Sequence, residues 1–388
     1  MTETTESTEP AALTAALFEP ITIRSLELRN RIAMSPMTRH GSPGGVPTDE
    51  VVAYYRRRAE GGTGLIVTEG TAIEHPSAVD ADTVPVMYGE AALEGWRKVV
   101  DAVHGAGGKI VPQLWHVGPL FGAMGPVGDV HPMRPSGHWG SVGNTMYSDE
   151  YVEQMRPVTA AMTERDIADV IAAYAAAARN AIDVGFDGIA LHGGHGYLLD
   201  AFLWEPSNQR DDEWGGDLQR RTRFPAEVVK AIRKEIGDDY PIIFRFSQHK
   251  QQDFASKIAQ TPEELGVVLN ALVDAGVDVL DASIRRFYAP AFEGSDLSLA
   301  GWAKKLTGAT VMAVGSVGLD SALNERVIVG LPTMTDNLPD LMRRKHEGEF
   351  DLVAIGRLHM ADPAISRRLR DGDPMPEFDR ALHEGRLY

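Results

Sequence analysis

The 388-residue sequence contains no cysteine. Disulfides, thiolate nucleophiles, cysteine-bound zinc and iron–sulfur clusters are therefore excluded, and any redox chemistry requires a bound cofactor. The sequence also lacks a run of eighteen apolar residues, so no segment is predicted to span a membrane. These two absences make the cytoplasm the simplest expected location.

Positive charge is scarce, because 38 lysine and arginine residues stand against 55 aspartate and glutamate residues, a formal net charge of −17. This excess disfavours nonspecific attraction to nucleic acid or to anionic lipid, although it allows a local basic pocket. Residues 1–16 are acidic and rich in threonine, without a basic segment. They are predicted to form a disordered tail rather than a signal peptide, and residues 17–388 a single domain.

Eight short β-branched segments alternate with helical segments through the rest of the chain, and many end in Gly, Ser, His or Pro. This alternation predicts an α/β fold, a (β/α)8 TIM barrel, with a doubly wound sheet as the alternative. No G-x-G-x-x-G motif follows the first strand, which disfavours the alternative. The predicted strands begin at Asn30, Gly64, Lys109, Phe186, Pro241, Val277, Ala309 and Phe350.

The sequences of three other segments predict a hairpin, the start of a helix and a long loop. The sequence ITIRSLEL at 21–28 alternates apolar and polar residues, which predicts an N-terminal hairpin. Thr163 is followed three residues later by Asp166, a capping-box pattern that predicts the start of a long helix. Residues 117–162, after the third strand, are rich in Gly, Pro and Met and far exceed an ordinary connection, so we expect a capping loop over the barrel.

The carboxyl ends of barrel strands carry the active site in this fold. The seventh and eighth strands end in Gly315 and Ser316 and in Gly356 and Arg357. Exposed backbone N–H groups beside a guanidinium predict a phosphate site there, although both glycines could simply turn the chain.

His192, His195 and Tyr197 follow the fourth strand within the segment IALHGGHGYLLDAFLWEP. With His116 as a third ligand the two histidines could bind a metal, but a His-x-x-H spacing on a loop does not specify one. They could instead bind and polarise a substrate carbonyl, or have a structural role only. Tyr197 could deliver a proton or pack in the core.

The sequence resembles the Old Yellow Enzyme family of FMN-dependent ene reductases. The central motif is H-x-x-H-G-Y-L-L-x-x-F-L, which continues through PSNQRDDEWGGDLQRRTRF. The segments NRIAMSPMTRH, VTEG, PQLWH, FRFS and LVAIGR match further family blocks in the same order. The resemblance therefore covers the chain from the hairpin to the end of the barrel.

The resemblance implies FMN as a noncovalent cofactor, NADPH or NADH as its transient reductant, and an enone-type small molecule as the substrate. His192 and His195 would hold the substrate carbonyl, Tyr197 would donate the proton, and His40 falls where relatives place a substrate-contacting aromatic. Asn208, Arg210, Asp212, Gly215 and Gly216 would have structural roles, and a homo-oligomer is compatible with the family. The residues implied to bind FMN are Ser35, Pro36, Met37, Thr38, Gly70, Gln113, Arg245, Gly315, Ser316, Gly356 and Arg357.

Several positions depart from the family pattern. Gly193 and Gly194 replace bulkier residues, which we expect to loosen the histidine turn. The segments SQHKQQDF at 247–254 and SIRRFYAP at 283–290 predict a rim particular to this chain, with Arg285, Arg286, Phe287 and Tyr288 in it. Two other functions stay open: flavin-dependent oxidation of a small substrate by demethylation or desaturation, and hydrolysis by a metal-dependent barrel.

Overall fold

The computed structural model describes residues 11–125, 129–320 and 334–388. Eight parallel strands form a closed barrel in which each pairs with the next and the last pairs with the first. A two-stranded antiparallel hairpin precedes them. The predicted (β/α)8 barrel and hairpin are confirmed, and the doubly wound alternative is wrong. The hairpin comprises β1 (Ile21–Ile23) and β2 (Leu26–Leu28), and the barrel comprises β3 (Ile32–Met34), β4 (Leu65–Ala72), β5 (Lys109–Trp115), β6 (Ile189–His192), β7 (Ile242–Ser247), β8 (Val279–Ser283), β9 (Thr310–Val314) and β10 (Leu352–Ile355).

The helices pack outside the barrel, and their ends carry the predicted caps. Thr163 Oγ1 accepts the Asp166 N–H (3.2 Å) while Asp166 Oδ2 accepts the Thr163 N–H (2.7 Å), which confirms the capping box. The helices are α1 (Asp49–Glu60), α2 (Glu90–Gly105), α3 (Asp149–Met155), α4 (Glu164–Val184), α5 (Leu198–Leu203), α6 (Leu218–Arg221), α7 (Arg223–Ile236), α8 (Pro262–Ala275), α9 (Leu299–Thr307), α10 (Leu338–His346), α11 (Arg357–Ala361), α12 (Ile365–Asp371) and α13 (Arg380–His383).

The barrel interior is filled by alternate side chains of its strands, because successive side chains on a strand point to opposite faces. Leu65 and Val67 of β4 belong to an interior apolar cluster, whereas Ile66 packs in the larger cluster that includes the helices. Leu26 and Leu28 of the hairpin join the interior cluster. The hairpin therefore belongs to the same apolar core as the barrel interior.

The described part of the N-terminal segment contacts α12. Residues 1–10 lie outside the described residues, and of residues 11–16, expected to be disordered, Thr14 is buried while Ala12, Leu13 and Ala15 are exposed. The buried Thr14 donates its hydroxyl to the Leu369 carbonyl (2.6 Å), and Ala11 N–H donates to the Arg370 carbonyl (2.6 Å). Ala11 and Thr14 are thus bonded to α12, far along the chain, while the predicted domain boundary at residue 16 stays a prediction.

The long loop over 117–162 lines the cavity at the carboxyl end of the barrel, as predicted, although helix α3 within it was not predicted. The buried Arg134 holds the loop's two arms together by donating to the Met155 (2.8 Å) and Pro157 (2.9 Å) carbonyls. Arg210 ties it to the barrel by donating to the Pro135 carbonyl (2.7 Å). This loop is thus a bonded structural part of the cavity wall.

Over the ranges that the structure describes, no helix combines the length and the apolar character needed to cross a bilayer.

Candidate active site

A cavity of about 640 Å³ opens at the carboxyl end of the barrel strands. Every residue that the resemblance assigns to the flavin, the substrate or the proton donation lines it, although these residues come from many separate segments of the chain. They are Ser35, Pro36, Met37, Thr38, His40, Gly70, Gln113, His192, His195, Tyr197, Arg245, Gly315, Ser316, Gly356 and Arg357.

Strand register brings the polar side chains of the cavity floor together. His192 on β6 pairs with Arg245 on β7, and Arg245 pairs with Asp281 on β8. Arg245 Nε donates to Asp281 Oδ2 (2.6 Å), and its Nη2 donates to Ser35 Oγ (3.1 Å). A buried guanidinium is thereby held in one orientation by contacts with two other strand ends.

The two histidines lie side by side, with ring centroids 5.0 Å apart and rings nearly perpendicular. His195 has a φ of +64°, which non-glycine residues rarely adopt, and its N–H donates to Ser247 Oγ (2.8 Å). The expected loosening by glycine is wrong at Gly193, where a Cβ would lie 2.1 Å from the Phe244 ring. Only glycine allows the turn to pack this closely.

Both imidazoles are neutral at physiological pH. Burial lowers the pKa of His192 well below its usual value, and the Arg245 charge lowers it further. Burial also lowers the pKa of His195 well below its usual value, with His249 and His192 acting in the same direction. A neutral imidazole has one N–H donor and one acceptor nitrogen, so hydrogen bonds decide which nitrogen faces the cavity as a donor.

Tyr197 stands immediately before α5, with its ring edge-on to His192 (4.6 Å between centroids) and to Trp115 (4.9 Å). Burial raises the pKa of Tyr197 to about 12. Its hydroxyl is consequently protonated at neutral pH and able to donate a proton.

His116 does not join the histidine pair. It is fully buried, accepts the Gly118 N–H at Nδ1 (3.0 Å) and meets His75 through Nε2 (3.1 Å). The described residues contain no group of three or more His, Asp or Glu side chains arranged to hold a metal ion. The hypothesis of a metal held by His116, His192 and His195 is wrong because His116 points into a different set of partners.

The far end of the cavity contains a cradle of small residues beside an arginine. Gly315 has a φ of +148°, and a Cβ there would lie 2.3 Å from the Ile284 carbonyl oxygen. Ser316 Oγ donates to the Arg285 carbonyl (2.8 Å) and accepts from Arg357 Nη2 (3.1 Å). Backbone N–H groups and a guanidinium at one place form a donor set suited to a phosphate.

Gln113 adds an unsatisfied donor. Its side-chain Nε2 is buried without a hydrogen-bond partner, while its backbone N–H donates to Thr68 Oγ1 (3.1 Å). Buried amide groups nearly always have a partner, so this one indicates a ligand acceptor in the cavity.

Comparison with known proteins decides the family. Residues 16–375 match the sequence model of the NADH:flavin oxidoreductase / NADH oxidase family. The chain belongs to this family. It is 32% identical to "Flavin oxidoreductase hxnT" of Emericella nidulans, over 95% of this chain and 94% of the relative. The predicted flavin oxidoreductase is therefore confirmed.

Comparison with solved structures gives the same family. An Old Yellow Enzyme homologue from Zymomonas mobilis superposes with a TM-score of 0.75 at 25% identity, covering 93% of this chain and 94% of its own. Morphinone reductase in complex with tetrahydroNAD gives a TM-score of 0.75 at 26% identity, covering 94% of this chain and 93% of its own. The resemblance to the Old Yellow Enzyme family is confirmed, with FMN and a nicotinamide reductant as its cofactors.

The cavity of this flavin oxidoreductase fits FMN. The unsatisfied Gln113 amide offers a donor to a polar ring edge, and Arg245 places a fixed positive charge on the cavity floor. The cradle at Gly315, Ser316 and Arg357 offers its donors to the phosphate. The residues present thus match the chemistry of both ends of the cofactor.

Replacing Arg357 by alanine is expected to weaken FMN binding about 10- to 100-fold, because a hydrogen bond to a charged group contributes roughly 1.5–3 kcal/mol. Riboflavin, which lacks the phosphate, should bind wild type and variant equally. Fluorescence titration of both ligands measures this, with Arg343→Ala, an exposed arginine on α10, as the charge-matched control. Equal losses for both ligands would contradict a phosphate contact.

Part of the predicted rim lines the cavity, and part does not. His249, Gln251, Phe254 and Arg285 line the cavity, as the unusual segments suggested. The other rim residues, Arg286, Phe287 and Tyr288, are not in its lining, and Phe287 is buried in the core.

Two residues from the C-terminal segment, Arg380 and Glu384, also line the cavity without any signal in the sequence. The segment is held there because Arg39 Nη2 donates to the carbonyls of His383 (3.1 Å), Glu384 (3.0 Å) and Arg386 (2.7 Å). Backbone acceptors of this kind leave no pattern in a sequence.

Proposed function

We propose that this flavin oxidoreductase uses NADPH or NADH to reduce the C=C bond of an α,β-unsaturated carbonyl compound. The observation that carries the proposal is the neutral histidine pair beside a protonated tyrosine, His192, His195 and Tyr197, in the same cavity as the flavin-binding residues. Binding a carbonyl oxygen and donating a proton are the two tasks that such a reduction leaves to the protein.

The histidines supply donors to the substrate oxygen. His192 Nδ1 accepts the Gly194 N–H (3.4 Å), which leaves the proton on Nε2. His195 Nε2 meets Ser283 Oγ (2.8 Å), so a proton on Nδ1 is available when the serine hydroxyl donates to Nε2. Both rings would then donate to one carbonyl oxygen and stabilise the negative charge that develops on it.

When bound, FMN supplies the hydride, which adds to the β carbon of the substrate. Tyr197 completes the reduction by protonating the α carbon, for which its hydroxyl must keep its proton until that moment. Its pKa of about 12 ensures this across the neutral range. The tyrosinate left behind regains a proton before the next turnover.

Three features stay predictions from the sequence: a single FMN-binding domain over residues 17–388, a cytoplasmic location and a homo-oligomeric state. The roles of individual FMN-contacting residues also stay predictions, and Thr38 and His40 line the cavity wall.

The visible absorption spectrum followed under anaerobic conditions tests the proposal. NADPH or NADH is expected to bleach the flavin bands, and cyclohexenone is then expected to restore them as it is reduced. Comparing both nicotinamides at equal concentration identifies the preferred reductant. Bleached enzyme that cyclohexenone leaves unchanged would reject the ene-reductase function, and bleaching by a saturated substrate without nicotinamide would support oxidation instead.

A further inference from the structure

We infer that Ser283 is a positioning residue for the carbonyl-binding pair, because its hydroxyl donates to His195 Nε2 and thereby keeps the imidazole proton on Nδ1. The inference rests on the proposed function, since the proton on Nδ1 is the one that His195 would offer to the substrate carbonyl. Ser283 is the last residue of β8 and the first of the segment at 283–290 that departs from the family pattern. The resemblance assigns it no role.

Two serines at neighbouring strand ends hold His195. Ser247 ends β7 and Ser283 ends β8, and the two are partners in the register of these strands. The His195 N–H donates to Ser247 Oγ (2.8 Å), and His195 Nε2 lies 2.8 Å from Ser283 Oγ. Ser247 therefore holds the backbone of His195, while Ser283 holds its ring.

The backbone contact is itself fixed. Ser247 Oγ donates to the His249 carbonyl (2.8 Å), so its proton is used there and its oxygen remains the acceptor for His195. The turn also packs closely on the strand end, because a Cβ at Gly194 would lie 3.0 Å from Ser247 Oγ. The turn thus keeps the His195 ring beside Ser283.

The hydrogen bond between Ser283 and His195 can form in two ways. Either the serine hydroxyl donates to Nε2 and the imidazole proton is on Nδ1, or Nε2–H donates to the serine oxygen and Nδ1 has no proton. The imidazole is neutral, because burial lowers the pKa of His195 well below its usual value, so only one nitrogen carries a proton. The two arrangements therefore present opposite groups to the cavity.

The remaining partners favour donation by the serine. Within the part of the chain that the structure describes, the buried Ser283 hydroxyl has no acceptor other than His195 Nε2. If Nε2–H donated instead, the serine proton would be buried without an acceptor, which is unfavourable. Donation by Ser283 satisfies both groups and leaves Nδ1–H of His195, which lines the cavity, as the donor to a ligand.

The tautomer decides what the substrate carbonyl meets. With the proton on Nδ1, His195 and His192 both donate to the carbonyl oxygen, as the proposed function requires. With the proton on Nε2, the Nδ1 lone pair would face the lone pairs of that oxygen and oppose the negative charge that develops on it. Ser283 transfers no proton and acts only through the ring of His195.

Ser283→Val and Ser283→Thr form a matched pair of variants. Both side chains have the same branched shape, which suits a strand, and they differ in a methyl group against a hydroxyl. Stopped-flow reoxidation of the reduced holoenzyme by cyclohexenone should slow about 10- to 100-fold in Ser283→Val. One donor to an oxyanion contributes about 10²–10³-fold in rate, and a ring free to adopt either tautomer loses part of this. Ser283→Thr should stay within about threefold of wild type, because it keeps the hydroxyl donor.

The tautomer itself is measured by ¹⁵N NMR of the oxidised holoenzyme labelled at histidine. Long-range ¹H–¹⁵N correlations distinguish a protonated Nδ1 from a protonated Nε2, and the His195 signals are assigned by their loss in His195→Gln. Wild type and Ser283→Thr should carry the proton on Nδ1, whereas Ser283→Val should also show the tautomer with the proton on Nε2. The wild-type measurement does not depend on the folding of any Ser283 variant.

Three results would overturn the inference. The first is a wild-type His195 with its proton on Nε2. The second is equal slowing in Ser283→Val and Ser283→Thr, because the loss would then come from the shape of the side chain and not from its hydroxyl. The third is weaker FMN binding in Ser283→Val alone, measured by fluorescence titration, which would assign the hydroxyl to the cofactor instead.

Failure of the proposed function gives a different result. If wild-type enzyme does not reduce cyclohexenone, the proposed function is wrong, and the His195 tautomer is still measured without substrate. If wild type reduces cyclohexenone and Ser283→Val does so at the same rate, only the role of Ser283 is wrong.

Discussion

Replacing His192 and His195 together by alanine is expected to lower enone turnover by about 10⁴-fold while FMN stays bound. Removing a single oxyanion donor costs roughly 3 kcal/mol in transition-state stabilisation, and both donors act on the same oxygen, so their contributions add incompletely. Neither ring is among the cradle residues that fit the phosphate, so the flavin spectrum and its stoichiometry should be unchanged.

The measurement is single-turnover reoxidation of the reduced variant by cyclohexenone, with NADPH or NADH reduction recorded separately. His346→Ala, an exposed histidine at the end of α10, is the control and should behave as wild type. Near-normal enone turnover in the double variant would contradict the carbonyl-binding role. Loss of FMN would show instead that the histidines hold the cofactor.

Replacing Lys250 by methionine is expected to lower the free energy of unfolding by about 3–5 kcal/mol, because it leaves a buried carboxylate without its cation. Lys250 and Asp200 are both fully buried, with Nζ and Oδ2 2.8 Å apart. Lys250 Nζ also donates to the Gln248 carbonyl (3.0 Å), and Asp200 Oδ2 accepts the Gly196 N–H (2.7 Å). The pair therefore holds the histidine turn against the 247–254 segment.

Urea unfolding at saturating FMN measures this loss. The double variant Lys250→Met, Asp200→Leu should recover part of it, because no charge is then left buried. Lys230→Met is the control: Lys230 forms an exposed pair with Glu227, and its removal should change stability by less than about 1 kcal/mol. Unchanged stability in Lys250→Met would refute the role of the pair.

The loss should depend on pH in a defined direction. Burial raises the pKa of Asp200, and Lys250 opposes this rise. Without Lys250 the folded-state pKa rises further above that of the unfolded chain, so the folded variant binds more protons than the unfolded one. The deficit should be largest above the folded pKa and should shrink as the pH falls towards the ordinary aspartate range.

The start of α4 and the flavin family could be predicted from the sequence, whereas the partners of His116 could not. Thr163 and Asp166 identified the start of α4 because a capping box is a local arrangement of neighbouring residues. The linked segments from NRIAMSP to LVAIGR identified the family, and the structure brings the flavin, substrate and proton-donor residues that they implied into one cavity. The sequence allows His116 as a metal ligand, because spacing does not reveal that its Nε2 faces His75.

The sequence by itself determined the barrel, the flavin family and the residues at the strand ends, because period, caps and linked motifs are properties of neighbouring positions. Tertiary structure alone decided how those residues work. It made His192 and His195 neutral by burial, and it paired Lys250 with Asp200 across fifty positions of the chain. It also brought Tyr147 to Gln251 across 104 positions. Such effects depend on desolvation and on partners distant in sequence, which exist only once the chain is folded.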